Sequence, residues 1–300
     1  MKASGGRKPV RTKIWTACAV VLVLGWAVPI ARALPQTPSS ADGISVAKPA
    51  EVPFRLYRDY AIVARGSIGE RDKLNFLIDT GSSSTVVDQS LARKLRLATS
   101  PRKISVFGRT VVAEEAVLSS LHLGPVQAAL LPVTVQDLST TQQALSIRID
   151  AVVGIDVLSR ASFTVDYEGR KLIWGPLATT ADPVPCDPHF PYPTVLLQVG
   201  ARTLRVYVDT GASELALFEN RTGSIPGTRV VGEQTRTTIE GYVVVKTVEF
   251  QQLSLGATHW TRREGSLMEG SIFDGTMGPK WLGAKRIGFD FEHKVVSWEK

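Results

Sequence analysis

Two aspartates stand at matching places in the sequence and could act together in acid–base chemistry. Asp79 ends the apolar run LNFLI and is followed by Thr-Gly, and Asp209 ends the run LRVYV and is again followed by Thr-Gly. A single Asp-Thr-Gly after a strand is an ordinary turn, because Asp and Gly favour turns. Two copies, 130 residues apart and each after a strand-like run, are far rarer by chance. They indicate a paired site.

A pair of carboxyls in contact has a specific chemistry. Two carboxyls held about 3 Å apart share one proton, because both cannot be ionised cheaply at that distance. The ionised carboxyl can act as a general base on a water molecule, while the protonated one donates to a carbonyl oxygen. Asp79 and Asp209 are therefore predicted as catalytic residues. Their pKa values would belong to the pair rather than to either residue.

An internal repeat could place these two aspartates face to face. Matching segments recur at offsets of 124 to 132 residues. The pairs are VLSSLHLG (117–124) with EFQQLSLG (249–256), DAVVG (150–154) with DGTMG (274–278), and FTVDYEGRKLIW (163–174) with IGFDFEHKVVSW (287–298). Equivalent residues of a duplicated unit can meet across a pseudo-two-fold axis. One chain would then supply both carboxyls.

The repeated motifs resemble those of the aspartic protease superfamily. The turns DTGS (79–82) and DTGA (209–212) resemble its active-site turns. AVVGIDVL (151–158) and GTMGPKWL (275–282) resemble its second hallmark, two apolar residues and a Gly before a short helix, which is expected to pack beneath each turn. The resemblance covers roughly residues 55–300, and the short halves are more similar to fused retropepsin units than to a pepsin. It implies a mainly β, two-lobed, pseudo-dimeric β-barrel fold with few short helices.

The resemblance also implies supporting roles within the two turns. The hydroxyls of Thr80 and Thr210 would tie the two loops together. Gly81 and Gly211 would allow a tight turn with its backbone exposed to substrate. Ser82 would hydrogen-bond the outer oxygen of the first aspartate, or serve only as a turn hydroxyl. The alanine at the matching place of the second turn has no hydroxyl, which suggests unequal carboxyls.

In this superfamily a β-hairpin, the flap, closes over the substrate. By their distance from each aspartate, the candidates are residues 106–110 and 239–243. Gly108 and Gly241 would let the hairpin tips bend and are the predicted substrate-binding residues. Ordinary hairpin turns are the alternative interpretation.

The apolar pattern predicts mostly strands. Runs of Val, Ile, Leu and aromatic residues, broken by Gly or polar turns, predict strands at 60–68, 74–79, 109–118, 129–138 and 171–174. One helix is predicted over 88–97 with Asp88 as its N-cap, and a weaker one over 213–220.

Five segments follow one another along the chain. They are a signal peptide or membrane anchor (1–33), a flexible tether or pro-segment (34–53), an N-terminal retropepsin-like lobe (54–174), a Pro-rich linker (175–193) and a C-terminal retropepsin-like lobe (194–300). The linker holds six prolines, which cannot donate to a sheet ladder, so no central strand is expected there.

The first segment predicts export. It carries six basic and no acidic residues, the uncharged run 14–30, and the small-x-small motif ARA at 31–33. The same run is long enough to remain as a membrane anchor. We therefore expect a periplasmic or secreted protein, or one tethered to the membrane through 14–30. Because Cys18 lies in this segment, Cys186 is left alone and no internal disulfide is predicted.

The charge balance argues against a nucleic-acid partner. The formal net charge is +7, but without the six basic residues of 1–33 the chain has 29 basic and 28 acidic residues. A nearly neutral body offers little attraction for a polyanion. The four His residues show no metal-binding spacing, so no metal is predicted. No cofactor is expected either, because water is the nucleophile.

The resemblance implies an exported aspartic endopeptidase, a peptide hydrolase whose substrate is a polypeptide bound in extended form. We expect a monomer with an internal pseudo-dimer. The alternative is a non-catalytic peptide-binding protein that retains the same fold, because a fold does not guarantee an activity. A zymogen or a membrane-tethered processing enzyme is a further interpretation, for which the segment 34–53 leaves room.

Overall fold

The computed structural model of the chain describes residues 18–19, 22–23, 49–106, 109–177, 183–190, 192–238, 241–270 and 273–300. Within these residues the fold is mainly β and contains five short helices. Most of the predicted leader and tether, and the predicted flap residue Gly108, lie outside the described residues.

The first half of the chain consists of twelve strands and three helices in its described residues. They are β1 (Cys18–Ala19), β2 (Leu22–Val23), β3 (Ala50–Tyr57), β4 (Ala61–Ile68), β5 (Arg71–Ile78), β6 (Val86–Asp88), α1 (Gln89–Lys94), β7 (Ser100–Val106), β8 (Arg109–Leu123), β9 (Val126–Gln136), α2 (Ser139–Leu145), β10 (Ala151–Val153), α3 (Ile155–Leu158), β11 (Phe163–Asp166) and β12 (Lys171–Trp174).

The second half repeats the order that begins at β4, starting from β14, except that its described residues hold no counterpart of α2. Its described elements are β13 (Val184–Pro185), β14 (Thr194–Val199), β15 (Arg202–Val208), β16 (Leu215–Phe218), α4 (Glu219–Thr222), β17 (Thr228–Thr238), β18 (Gly241–Leu255), β19 (Thr258–Met268), β20 (Gly275–Met277), α5 (Pro279–Leu282), β21 (Arg286–Asp290) and β22 (Val295–Glu299).

The strands that precede the two aspartates lie beside the strands of the apolar-Gly motifs. In the first half β10 runs parallel to β5, with Val153 in register with Ile78. In the second half β20 runs parallel to β15, with Met277 in register with Val208. The last three residues of β5 and of β15 are all buried, as their unbroken apolar sequences require of strands that are covered on both faces.

A sheet shared by the two halves joins them. Its strand order is β13-β22-β21-β11-β12-β3, and β11 pairs antiparallel with β21, its counterpart in the repeat. Phe163 packs against Trp174 of the first half at 4.8 Å and against Phe289 of the second half at 5.1 Å between ring centroids. All three rings are buried, so one hydrophobic core continues across both halves. The fold is the mainly β, two-lobed architecture expected of an aspartic protease.

The predicted helix after the second aspartate is wrong over most of its length. Residues Leu215–Phe218 form strand β16, and only Glu219–Thr222 are helical. β16 lies between β19 and β20 in the sheet, and all four of its side chains are buried. A central strand buries both faces of such a run, whereas a surface helix of this length would expose one face. The counterpart α1 begins as predicted, since the Asp88 side chain accepts a hydrogen bond from the Ser90 N–H at 3.0 Å.

Two strands extend into segments predicted as irregular. β3 begins at Ala50, inside the predicted tether, because residues 50–53 pair with β12. β13 lies in the predicted Pro-rich linker and pairs with β22 at the edge of the shared sheet. Pro185 is tolerated there because an edge strand needs ladder donors on one side only.

The two short strands near the N-terminus pair with longer strands of the two halves. β1 pairs parallel with β17, with Cys18 in register with Thr237. β2 pairs antiparallel with β7, with Leu22 in register with Val106. None of the helices in the described part of the chain is long and apolar enough to cross a membrane.

Candidate active site

The two aspartates emerge from equivalent strand ends and are completely buried. Asp79 follows β5, and Asp209 follows β15. Both residues are 0% exposed. The Asp79 N–H donates to the Val153 carbonyl at 3.1 Å, and the Asp209 N–H donates to the Met277 carbonyl at 3.0 Å. The backbone of each aspartate is therefore held by the apolar-Gly strand of its own half.

Four reciprocal hydrogen bonds join the two loops. The Thr80 hydroxyl donates to the Val208 carbonyl, and the Thr210 hydroxyl donates to the Ile78 carbonyl, both at 2.8 Å. Each hydroxyl also accepts the backbone N–H of the opposite threonine at 3.0 Å. Both threonines are 0% exposed, so all four bonds are shielded from water. The two strand ends are held as one unit with the approximate two-fold symmetry of the repeat.

The two glycines allow each loop to approach the opposite carboxyl. A Cβ built on Gly81 would lie 2.6 Å from Oδ2 of Asp209, and a Cβ built on Gly211 would lie 2.8 Å from Oδ1 of Asp79. Real Cβ atoms are not found so close to another heavy atom. Neither glycine has a positive φ, so the need for glycine comes from this close approach and not from the turn conformation.

The hydrogen bonds to the two carboxyls are unequal. Oδ1 of Asp79 accepts the Gly81 N–H at 2.9 Å, and Oδ1 of Asp209 accepts the Gly211 N–H at 2.7 Å. Oδ2 of Asp209 also accepts the hydroxyl of Thr276 at 3.1 Å. Oδ2 of Asp79 is buried, and no group in the described residues donates to it. The two carboxyls therefore have the same hydrogen bond at Oδ1 and differ at Oδ2.

Burial and mutual repulsion shift the titration of both carboxyls upward. Burial raises the pKa of Asp79 well above its usual range, and the charge and hydrogen bond of Asp209 raise it further. Burial also raises the pKa of Asp209, to about 6, although hydrogen bonds from Asp79, Gly211 and Thr276 offset part of this effect. Both carboxyls therefore keep a proton to higher pH than an exposed aspartate does, with the larger rise at Asp79, and the two titrate as a pair.

The Ser82 hydroxyl does not bond the Asp79 carboxyl as the resemblance implied. Its hydroxyl donates to the Ser84 carbonyl at 2.7 Å, and a hydroxyl has only one hydrogen to give. Ser82 is buried and acts as a turn hydroxyl that shapes the first loop. The inequality of the two carboxyls comes instead from the hydroxyl of Thr276. That signal was visible in the sequence, because Thr276 occupies the place of apolar Val152 in the repeat.

Different partly buried carboxylates brace the two loops, and neither was predicted. In the first half Asp156 accepts the backbone N–H of Thr85 at 2.8 Å and its hydroxyl at 2.9 Å. In the second half Glu214 accepts Nε of Arg236 at 2.7 Å, a second hydrogen bond from the same guanidinium, and the Ser266 hydroxyl at 2.5 Å. Arg236 lies on β17 and is 8% exposed, so this pair ties the second hairpin to its active-site loop.

The two predicted flaps fall at the ends of long β-hairpins. β7 and β8 form the first, closed by the pair Val106–Arg109, and β17 and β18 form the second, closed by the pair Thr238–Gly241. Gly241 is therefore the first residue of β18, while residues 107–108 and 239–240 at the tips lie outside the described part of the chain. Contact between these hairpins and a substrate stays a prediction.

The described residues contain no group of three or more His, Cys, Asp or Glu side chains arranged to hold a metal ion. The arrangement of Asp79 and Asp209 can hold one proton between two carboxyls and present one acid and one base to the same reacting group.

Comparison with known proteins agrees with this geometry. Residues 64–157 match the family model described as aspartyl protease. That range includes the first aspartate, its threonine and glycine, and the apolar-Gly strand β10, whereas the second half lies outside it. A search of the curated proteins found no match. The family match, taken with the two-lobed β fold, supports a relationship of the chain to the aspartic protease superfamily.

Proposed function

We propose that the chain is an aspartic endopeptidase that hydrolyses peptide bonds with a water molecule activated by Asp79 and Asp209. The family match supports a protease that acts on polypeptides. The observation that carries the finer proposal is the pair of fully buried carboxyls at the ends of equivalent strands, whose loops the four threonine hydrogen bonds tie together. Such a pair supplies an acid and a base at one place without a cofactor.

In the proposed reaction Asp79 is the protonated acid and Asp209 is the ionised base. The Asp209 carboxylate removes a proton from water, and the water oxygen attacks the carbonyl carbon of the scissile bond. The Asp79 carboxyl donates its proton to the carbonyl oxygen, which gives a neutral tetrahedral gem-diol. The proton now on Asp209 then passes to the amide nitrogen, and a hydroxyl proton of the diol returns to Asp79 as the C–N bond breaks. Both carboxyls finish as they began, and water has been added across the peptide bond.

The fold supports an extended substrate. Each of the two hairpins β7/β8 and β17/β18 pairs through one strand with a short strand, β2 or β1. A peptide that adds to these edges would be held mainly by main-chain hydrogen bonds. We infer that the cleft between the halves binds polypeptide in this form, in a monomer whose two halves act as a pseudo-dimer. We also propose export, with the segment 14–30 as a cleaved signal or a membrane tether.

Peptide cleavage tests the proposed function. The full-length protein is incubated with a diverse peptide library from pH 4 to pH 9, and products are identified by mass spectrometry. We expect cleavage to rise with pH through an apparent pKa near 6, as Asp209 ionises, and to fall at higher pH, when Asp79 loses its proton. Asp79→Asn and Asp209→Asn should each abolish cleavage, while Asp72→Asn, at an exposed position of β5, should not.

Two results would contradict the proposal. Cleavage that survives either substitution at Asp79 or Asp209 would remove the shared pair from the mechanism. No cleavage by the wild-type protein at any pH, with peptides still bound, would favour the non-catalytic peptide-binding alternative. N-terminal sequencing of the protein recovered from its host tests the proposal of export separately, since a signal peptide is absent from the mature chain and an anchor is retained.

A further inference from the structure

Thr276 is a buried hydroxyl at a place where the repeat has a valine. It is the middle residue of β20, and it is 1% exposed. Its register partners are Tyr207 on β15 and Ala216 on β16. In the first half Val152 holds the equivalent place on β10, in register with Leu77 on β5. The second carboxyl therefore accepts a hydroxyl from a place where the first half has a valine, which has no hydroxyl to donate.

The geometry of the hydrogen bonds separates the two carboxyls. Both oxygens of Asp209 receive a donor, the Gly211 N–H at 2.7 Å and the Thr276 hydroxyl at 3.1 Å. Asp79 receives a donor on Oδ1 only, and its Oδ2 is buried without a donor among the described residues. An ionised oxygen buried without a donor is strongly disfavoured, whereas a protonated one can itself donate. The shared proton therefore belongs on Oδ2 of Asp79.

We propose that Thr276 is a positioning residue that assigns the roles of the two carboxyls, keeping Asp209 as the base and Asp79 as the acid. This inference rests on the proposed function for its catalytic meaning. Thr276 acts through Asp209 and not on the substrate. By holding one lone pair of the carboxylate, it stabilises the ionised form of Asp209 and leaves the proton on the opposite residue.

The other titratable groups near Asp209 do not compete for this role. Those that face it are Asp79 and the tyrosines Tyr207 and Tyr167, and Tyr192 faces Asp79 from the segment before β14. Burial raises the pKa of each tyrosine, so all three stay neutral through the pH range in which the carboxyls titrate. Tyr207 is the register partner of Thr276, and a hydrogen bond with the Thr276 hydroxyl offsets a small part of the rise in the Tyr207 pKa.

Two substitutions in the full-length protein test the proposal. Thr276→Val removes the hydroxyl, keeps the shape and copies the residue of the first half. Thr276→Ser keeps the hydroxyl and is the matched control. The first measurement is the free energy of unfolding as a function of pH. Its midpoint is the pH at which the slope of this curve decreases, because Asp209 has then become ionised in the folded protein. The second is the acid limb of the pH–rate profile for peptide cleavage.

The valine variant should move both midpoints upward by about one pH unit, because one hydrogen bond to the ionised form is lost. The serine variant should leave both within a few tenths of a unit of the wild type. An unchanged midpoint in the valine variant, or an equal shift in the serine variant, would overturn the proposal. If valine prevents folding, Thr276→Ala carries the same expectation.

The two measurements separate this inference from the proposed function. If the wild-type protein cleaves no peptide, the proposed function fails, but the unfolding titration still reports whether Thr276 controls the ionisation of Asp209. If peptides are cleaved and neither midpoint moves in the valine variant, the proposed function stands and the role of Thr276 is refuted.

Discussion

Removal of both buried carboxyls should change how the stability of the protein depends on pH. The perturbation is the double substitution Asp79→Asn/Asp209→Asn, which keeps side-chain volume and an oxygen that accepts the turn N–H. Asparagine does not titrate, so the variant loses the whole contribution of the pair. The single-variant comparison is less clean, because the remaining buried carboxyl would still titrate with a raised pKa.

The sign and size follow from the pKa of Asp209. It is about 6 in the folded protein against an ordinary value of 3.8, so the folded state holds this proton more tightly than the unfolded state does. Below pH 3.8 the Asp209 carboxyl is protonated in both the folded and the unfolded state, so its titration does not lower the free energy of unfolding. Between pH 3.8 and about 6 the unfolded chain releases the proton first, and folding stability falls by about 3 kcal/mol in total. The pKa of Asp79 is also raised, so it adds a loss of the same sign.

The assay is urea unfolding at fixed pH values from 4 to 8, followed by circular dichroism and extrapolated to zero denaturant. The free energy of unfolding of the wild-type protein, relative to that of the double variant, should fall by at least about 3 kcal/mol between pH 4 and pH 7. Asp72→Asn, at an exposed position, should differ from wild type by an amount that does not depend on pH. A wild-type-to-double-variant difference that is flat with pH would refute the reasoning, because the two carboxyls would then not be a buried, proton-sharing pair.

Three further substitutions test the frame of the site. Thr80→Val leaves a buried carbonyl and a buried N–H of the opposite loop unpaired, and should lower the free energy of unfolding by about 2–4 kcal/mol in the same assay. Gly81→Ala forces a Cβ against the opposite carboxyl and should lower kcat/KM by about 100-fold or more, while Gly232→Ala, where a Cβ meets nothing within 4 Å, should leave it unchanged. Arg236→Met leaves its partly buried carboxylate partner uncompensated and should lower the free energy of unfolding by about 2 kcal/mol, against under about 1 kcal/mol for the exposed Arg229→Met. Equal effects in the two arginine variants would contradict the partly buried ion pair.

The strands were predictable where their pattern was local and unambiguous. β4, β5 and β12 lie within a few residues of their predicted ranges, because short segments rich in Val, Ile, Leu and aromatic residues and bounded by turns favour a strand. The segment 213–220 was misjudged, because a four-residue apolar run fits a buried strand and a buried helix equally well. Pairing with β19 and β20 decided between them, and those partners come roughly 50 to 60 residues later in the chain.

The sequence by itself determined which residues could form the site. The two Asp-Thr-Gly turns, the apolar strands before them and the repeat that relates them are each readable within a short window. The sequence shows a threonine at the place of Val152, but only the tertiary structure brings its hydroxyl to Asp209 and so decides how the two carboxyls differ. The bond from Thr276 to Asp209 joins residues 67 apart, and the complete burial of both carboxyls depends on packing by both halves. A proton is placed by the donors and the solvent that reach each oxygen, and these are set by how distant strands meet.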